Sequence, residues 1–136
     1  MNKTKNITTK ETFALAVQNH QKNNLKVAEN LYKKILKIDP DHASAYNNLG
    51  LVLQAFGKFK KAKSCYEKAI QIQPNYVNAY NNLGIILKEL GEREKAISNY
   101  EKAIKINPNF AETHNNLGLI FYSLGEFQKA KSCYEK

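Results

Sequence analysis

Apolar residues recur along this chain at spacings of three and four, which predicts amphipathic α-helices. Within one stretch of the sequence, two such stripes follow each other with a short polar segment between them. The stripes are Tyr46, Leu49, Leu53 and Phe56, then Ala62, Tyr66, Ala69 and Ile70. Each stretch of this kind therefore predicts a pair of helices, here called helix A and helix B.

The helix pair repeats along the chain with a fixed period. Pro40, Pro74 and Pro108 stand 34 residues apart, and the sequence around them is nearly the same each time. Such a period predicts an array in which each pair buries its apolar face against its neighbours. The predicted repeats are residues 9–42, 43–76, 77–110 and 111–136, the last of which is truncated before its proline.

Glycines mark the end of each predicted helix A. Gly57, Gly91 and Gly125 stand where the backbone must turn left-handed, and Asn23 takes this place in the first repeat. After each helix B, a proline followed by Asp41, Asn75 or Asn109 is expected to end one helix and start the next.

A second set of glycines lies inside helix A. Gly50, Gly84 and Gly118 are expected to face small residues of helix B, so that the two backbones approach closely. The small residues are Ala62, Ala96 and Ala130. Tyr66, Tyr100 and Tyr134 are expected to fill the next layer of the core.

This residue pattern resembles the tetratricopeptide repeat (TPR) family over residues 9–136. Repeat 2 carries the family's pattern most fully, and repeat 1 departs from it at Thr12, Ala16 and Asn19, which suggests an N-terminal capping unit. The matching residues of repeat 2 are Tyr46, Leu49, Gly50, Leu53, Ala62, Tyr66, Ala69 and Pro74. The resemblance implies an all-α, right-handed superhelical solenoid of antiparallel helix pairs, with the A helices lining a concave groove. Residues 1–8 are predicted to form a flexible basic tail.

Asparagine pairs recur in register on the predicted A helices. The second members are Asn48, Asn82 and Asn116, and the first members are Asn47, Asn81 and Asn115. An amide offers a carbonyl acceptor and two N–H donors, so it can pair with a peptide backbone without reading side chains. Helices about 9–10 Å apart would match about three residues of extended chain.

This series resembles the asparagines that line the repeat superhelix of O-linked N-acetylglucosamine transferases, where they grip the substrate backbone. The resemblance supports the second asparagines as peptide ligands and gives the first ones a neighbouring role. Asn78 shares their face, and Lys88 and Tyr122 add polar points at its rim. The alternative is that these asparagines reflect a composition rich in Asn, Lys and Ile.

The carboxylate clamp that some family members use to hold acidic chaperone tails lacks its cations here. The corresponding first positions are Phe13 and Val17, or Asn47 and Leu51 one repeat later. The third helix offers Asn78 and Asn82, or Glu112 and Asn116. A two-cation grip on a carboxylate is therefore not expected.

The net charge of +9 raises the question of nucleic-acid binding. Most lysines fall on B helices, and the chain has a single arginine, Arg93, so specific nucleic-acid recognition is not expected. No apolar run reaches the ~20 residues that span a bilayer, and no signal peptide is recognised, which predicts a cytoplasmic protein without membrane insertion.

Catalytic and metal chemistry find no support in the sequence. His20, His42 and His114 occupy different repeat positions, and Cys65 and Cys133 lack metal-site spacing, so no cofactor or metal is expected. His114 and the two cysteines are expected to be packing residues.

The sequence thus predicts a noncatalytic, bacterial protein-interaction module that binds an extended peptide or partner segment in its groove. One alternative is the substrate-recruiting N-terminal segment of a larger enzyme of glycosyltransferase, sulfotransferase or oxygenase type. Another is a self-assembling scaffold that associates through an uncapped repeat 4. In that case apolar area around Leu117, Phe121 and Tyr134 would be exposed.

Overall fold

The computed structural model describes residues 2–135, with side chains described from residue 8 onward. Within this range the secondary structure consists of eight α-helices and contains no strand. The A helices are α1 (Asn2–Gln21), α3 (Ala43–Ala55), α5 (Val77–Glu89) and α7 (Ala111–Ser123). The B helices are α2 (Leu25–Ile38), α4 (Phe59–Ile72), α6 (Arg93–Ile106) and α8 (Phe127–Tyr134). The all-α repeat array predicted from the sequence is confirmed.

The helices form two compact units. Unit 1 contains α1–α4 and ends at Pro74, and unit 2 contains α5–α8 and begins at Asn75. Within each unit, every A helix packs most extensively against the B helix that follows it, and the first B helix also packs against the next A helix. Helix pairs thus stack side by side, as a repeat array requires.

Each helix A ends at a residue in the left-handed conformation, as predicted. Gly57 has a φ of 75°, and Asn23 holds the same place in repeat 1 with a φ of 64°. The turn satisfies the open carbonyls at the end of α3, because the amide of Lys58 donates to the Leu53 carbonyl at 2.9 Å. This reversal sets helix B back against helix A.

The start of each later helix A differs from the prediction. The N-cap of α3 is His42, whose Nδ1 accepts from the amide of Ala45 at 3.0 Å, so Asp41 does not cap this helix. Phe110 holds the same position before α7. The acidic or amide side chain that shapes the turn is the one before the proline: the Asp39 and Asn107 side chains accept from backbone amides two residues on, each at 3.2 Å.

A tyrosine ring packed on a glycine holds each of the last three helix pairs together. A methyl group placed on Gly50 would lie 2.5 Å from the Tyr66 ring, closer than packed carbon atoms allow, and Gly84 stands in the same relation to Tyr100. Tyr66 and Tyr100 are almost completely buried. The ring occupies the space that a side chain on the glycine would need, and the alanines that were expected to face the glycines, Ala62, Ala96 and Ala130, are buried.

Two further predictions concern the first residues of the chain and the last repeat. The backbone is helical from Asn2, within the segment predicted as a flexible tail, since neither Gly nor Pro interrupts residues 2–8. In repeat 4, Tyr134 is 45% exposed and Phe121 is half-buried, but Leu117 is buried against the pair and not open as predicted. None of the described helices is both long and apolar enough to cross a bilayer.

Substituting the helix-A glycines by alanine should destabilise the protein in proportion to the burial of the ring. Alanine gains about 1 kcal/mol in helix propensity over glycine, whereas overpacking a buried ring costs about 1–3 kcal/mol. Gly84→Ala should therefore lower the free energy of unfolding, and Gly118→Ala should be neutral or stabilising, since Tyr134 lies at the surface and can move. Urea unfolding followed by circular dichroism measures the free energy of unfolding of both variants. Equal effects of the two substitutions would show that burial of the ring does not determine their cost.

Candidate binding face on the A helices

One side of the A helices carries the asparagines and is open to solvent in part. We call it the helix-A face. Its members recur three or four residues apart, which places them on one side of each helix. In unit 1 they are Ser44, Asn48 and Leu51, and in unit 2 they are Asn78, Asn82, Ile85, Glu112, Asn116 and Leu119.

The two asparagines of a pair have different environments. Asn47 and Asn81 are buried, with 4% and 1% of their surface exposed. Asn48, Asn82 and Asn116 are half-buried, and Asn115 is exposed. The second asparagine of each pair is therefore the one whose amide is held by the protein while it still reaches solvent.

Asn81 is the centre of a buried hydrogen-bond cluster that joins α5 to α7. Its Oδ1 accepts from the Thr113 hydroxyl at 3.0 Å and from Asn116 Nδ2 at 3.1 Å. Its Nδ2 donates to Glu112 Oε1 at 3.2 Å. Three of the four hydrogen bonds that an amide can form are thus made inside unit 2, which fixes the register of the two A helices.

The burial of Asn47 and Asn81 corrects the neighbouring ligand role that the sequence suggested for them. A side chain with almost no exposed surface cannot meet a peptide, and Asn81 uses its polar atoms to link helices. Asn47 and Asn81 each stand three residues before a packing glycine, Gly50 or Gly84, which places them near the packed side of the helix. Asn115 has the same spacing to Gly118 but is exposed, so this spacing alone does not predict burial.

Asn116 keeps hydrogen-bonding capacity after joining this cluster. It donates one N–H to Asn81, and within the described part of the chain its other N–H and its Oδ1 make no hydrogen bond. A peptide unit likewise offers one N–H and one carbonyl. The cluster therefore presents a fixed amide whose open groups match a peptide backbone.

Asn48 is held by a different set of partners in unit 1. Asn47 Nδ2 donates to Asn48 Oδ1 at 3.4 Å, and Asn48 forms a hydrogen bond with the Tyr32 hydroxyl of α2. The same hydroxyl lies 3.2 Å from Nδ1 of His20 on α1. A chain of contacts thus connects all of the first three helices to the amide of Asn48.

The ionisation of these groups follows from their burial. Burial raises the pKa of Tyr32, and the bond with Asn48 lowers it in part, as expected where an amide N–H donates to the phenolic oxygen. Burial also lowers the pKa of His20, which keeps its ring neutral at pH 7. A neutral ring nitrogen can accept the Tyr32 hydrogen, leaving the phenolic oxygen to receive the amide.

The rim residues predicted from the sequence all lie at the surface of unit 2. Asn78 and Lys88 are exposed, and Tyr122 is 60% exposed. The Tyr122 ring stacks edge-on against Phe127 of α8, with 5.2 Å between ring centroids and 67° between planes. This exposed aromatic pair was not predicted, because Phe127 belongs to helix B and meets Tyr122 only after the chain turns back.

Charged residues of both signs lie at the helix-A face in unit 2. The pKa of Tyr100 is raised, first by burial and then by the negative charges of Glu112 and Glu89. Both carboxylates are exposed, as is the cation Lys88 beside Glu89, and Glu112 belongs to the helix-A face itself. Because the two carboxylates outnumber this lysine, the face is not suited to a ligand rich in carboxylates.

The described residues include no group of three or more His, Cys, Asp or Glu placed to hold a metal ion. His114 is buried, with Nε2 2.7 Å from the Pro108 carbonyl oxygen, as expected for a packing histidine. Cys65 and Cys133 are half-buried and are not joined in a disulfide. Burial raises the pKa of Cys65 to about 11, so this thiol is protonated at neutral pH.

Asn81→Ala should destabilise the protein strongly. It leaves the buried Thr113 hydroxyl without its partner and removes the bonds to Asn116 and Glu112, and an unsatisfied buried group costs about 1–3 kcal/mol. The matched control is Asn115→Ala, which removes the corresponding but exposed side chain of α7 and should change the free energy of unfolding by no more than about 0.5 kcal/mol. Urea unfolding of both variants makes the test, and a stable Asn81→Ala protein would show that the cluster contributes little.

Family models for the tetratricopeptide repeat match residues 13–42, 41–109 and 111–136. A search of curated protein sequences finds no match. Among solved structures, the crystal structure of MamA is 27% identical, with a TM-score of 0.86 over 93% of this chain and 74% of that one.

Two other structures share the fold at lower identity. An O-GlcNAc transferase mutant from Thermobaculum terrenum is 23% identical with a TM-score of 0.83, covering 86% of this chain and 22% of the transferase. The first TPR of Spaghetti (RPAP3), bound to an HSP90 peptide, is also 23% identical, with a TM-score of 0.82 over 86% of this chain and 93% of that one. At this identity the likeness is one of fold.

Proposed function

The chain belongs to the tetratricopeptide repeat family, and on that basis we propose that its helix-A face binds an extended peptide through the peptide's backbone. The family is a noncatalytic protein-interaction repeat, and the chain is a protein-interaction module. The observation that carries the finer proposal is the position of the second asparagines. They are half-exposed, and Asn48 and Asn116 are held by hydrogen bonds to their own unit.

A fixed amide binds a peptide better than a free one. An exposed side chain loses rotamer freedom when it meets a ligand, and this loss costs about 0.5–1.5 kcal/mol for each side chain. Asn116 is already ordered by Asn81, and Asn48 by Asn47 and Tyr32. The rotamer entropy of these two side chains is therefore already lost when the protein folds, and peptide binding does not lose it again.

Backbone recognition also fits the spacing expected for neighbouring packed helices. Packed helices lie about 8–10 Å apart, which is close to three residues of extended chain at ~3.3 Å each. Asn82 on α5 and Asn116 on α7 would then meet every third residue of one peptide. Leu119, which is 49% exposed beside Asn116, offers an apolar contact to a side chain between them.

The ligand of unit 2 should be neutral or basic. Glu89 and Glu112 outnumber Lys88, the exposed cation at this rim, and the cations of a carboxylate clamp are missing from the corresponding positions. The HSP90 peptide held by the structurally similar TPR of Spaghetti ends in Glu-Glu-Val-Asp. We therefore propose a ligand unlike that acidic one for this chain.

Changing Asn82 and Asn116 to alanine together should weaken peptide binding about tenfold or more, since each neutral hydrogen bond contributes about 0.5–1.5 kcal/mol. Ligands are first selected on an array of random peptides, and affinities are then measured by fluorescence anisotropy. The matched control is the Asn30→Ala, Asn109→Ala double variant, which removes two exposed asparagines away from this face. Circular dichroism checks that each variant is folded.

The same assay separates backbone recognition from side-chain recognition. N-methylation of single peptide bonds should abolish binding at about every third position, whereas alanine substitution at the same positions should have a small effect. Unchanged affinity in the Asn82, Asn116 variant would overturn the proposal. So would a peptide that tolerates N-methylation throughout.

A further inference from the structure

A cleft on the B-helix side of unit 1 lies outside the helix-A face. It is open to solvent, has a volume of about 480 Å³ and is formed by α2, α4 and one residue of α3. The lining residues are Lys33, Leu53, Lys60, Lys61, Ser64 and Cys65. Half of them are lysines, and none is acidic.

The lysines of the cleft are poorly neutralised. Lys60 and Lys61 are exposed and have no ion pair among the described residues. Lys33 does pair with Glu29, at 3.0 Å, but that carboxylate also binds Lys26 at 3.0 Å. One carboxylate thus serves two lysines, of which Lys33 lines the cleft, and it does not neutralise the positive charge of Lys60 and Lys61.

The position of these lysines on α4 adds to the positive potential. The open amide groups at a helix N-terminus carry partial positive charge, and cations are unfavourable there. The first turn of α4 contains no acidic residue, and its N-cap is Lys58. By contrast, the N-caps of α6 and α8 are Glu92 and Glu126, which pair with Lys95 and Lys129, each at 3.3 Å.

The floor of the cleft is apolar. Leu53 is buried, and Cys65 is half-buried with a pKa that burial raises to about 11 in spite of nearby Lys33. The protonated thiol is a packing surface and not a nucleophile. The Ser64 hydroxyl is turned toward the Lys60 carbonyl at 3.3 Å. A ligand here would meet apolar atoms at the bottom and lysines around them.

We propose that this cleft is a second interaction site, which binds an acidic protein segment carrying an apolar side chain. The carboxylates of the segment would lie against Lys60 and Lys61, and its apolar side chain would cover Leu53 and Cys65. Charge complementarity selects the partner, because the cleft offers unneutralised cations beside an apolar floor. The opposite charge preference of the helix-A face in unit 2 makes the two surfaces suited to different segments.

The test is a titration of the full chain with a short peptide that has one leucine between glutamates, followed by amide NMR spectra. Shifts are expected at Lys33, Lys60, Lys61, Ser64 and Cys65. Charge reversal by Lys60→Glu and Lys61→Glu should weaken binding about tenfold, since each exposed ion pair contributes modestly. The matched control, Lys102→Glu with Lys105→Glu on α6, changes net charge equally and should weaken binding less than about twofold.

Several outcomes would overturn the proposal. Equal weakening by both double variants would mean that net charge alone attracts the peptide. Binding of inorganic phosphate or of a peptide lacking the leucine with the same affinity would remove the role of the apolar floor. Shifts confined to the helix-A face would place the acidic peptide elsewhere.

Thermal stability tests independently whether Lys60 and Lys61 add to the positive potential at the start of α4. Replacing two cations by two anions in the first turn of α4 relieves repulsion with the helix N-terminus. The Lys60, Lys61 variant should therefore have a higher Tm than the wild type while it loses the peptide. The helix-A proposal is tested with asparagine variants and different peptides, so either proposal can fail without the other.

Discussion

The packing of a tyrosine ring on a glycine is the contact on which the α3–α4 and α5–α6 pairs depend. Tyr66 over Gly50 and Tyr100 over Gly84 leave no room for a side chain on helix A. The tyrosine ring of helix B fills the space that the missing Cβ of the glycine leaves on helix A. The packing of the two helices therefore requires both residues. Because the contact is lateral, it orients helix A about its own axis. The side of the helix away from the tyrosine is thereby set toward neighbouring repeats and solvent.

That orientation explains why two adjacent asparagines have different roles. Asn47 and Asn81 turn toward the packed side, where Asn81 links α5 to α7 through Thr113, Glu112 and Asn116. Asn48 and Asn116 reach solvent, and each forms a hydrogen bond with the buried asparagine of its own unit, Asn47 or Asn81. In unit 1 the Tyr32 hydroxyl adds a bond from helix B to Asn48. Structural and candidate binding groups therefore belong to one hydrogen-bond network in each unit, in which the buried amide orders the half-exposed one.

Much of the fold could be predicted because its determinants are local and repeated. The left-handed residues Gly57 and Asn23 and the helix pairs follow from spacing and backbone preference, and they are confirmed. The contacts between the two helices of a pair were harder to predict: the Tyr66 ring that packs on Gly50 was assigned to the next layer of the core, since spacing along each helix does not say which residues meet. The burial of Asn81 and the His42 cap depend on neighbours from another helix. The cationic cleft was missed for the same reason, since its lysines come from α2 and α4.

We propose that the second asparagines, and not the first, meet a peptide backbone. The most direct measurement is the NMR signal of each asparagine side-chain amide during titration with a selected peptide. The signals of Asn82 and Asn116 should shift with the fraction bound, while those of Asn30 and Asn99 on the B helices stay in place. Asn81, which is buried, should shift less than Asn116. Unmoved signals of Asn82 and Asn116 at saturating peptide would contradict it.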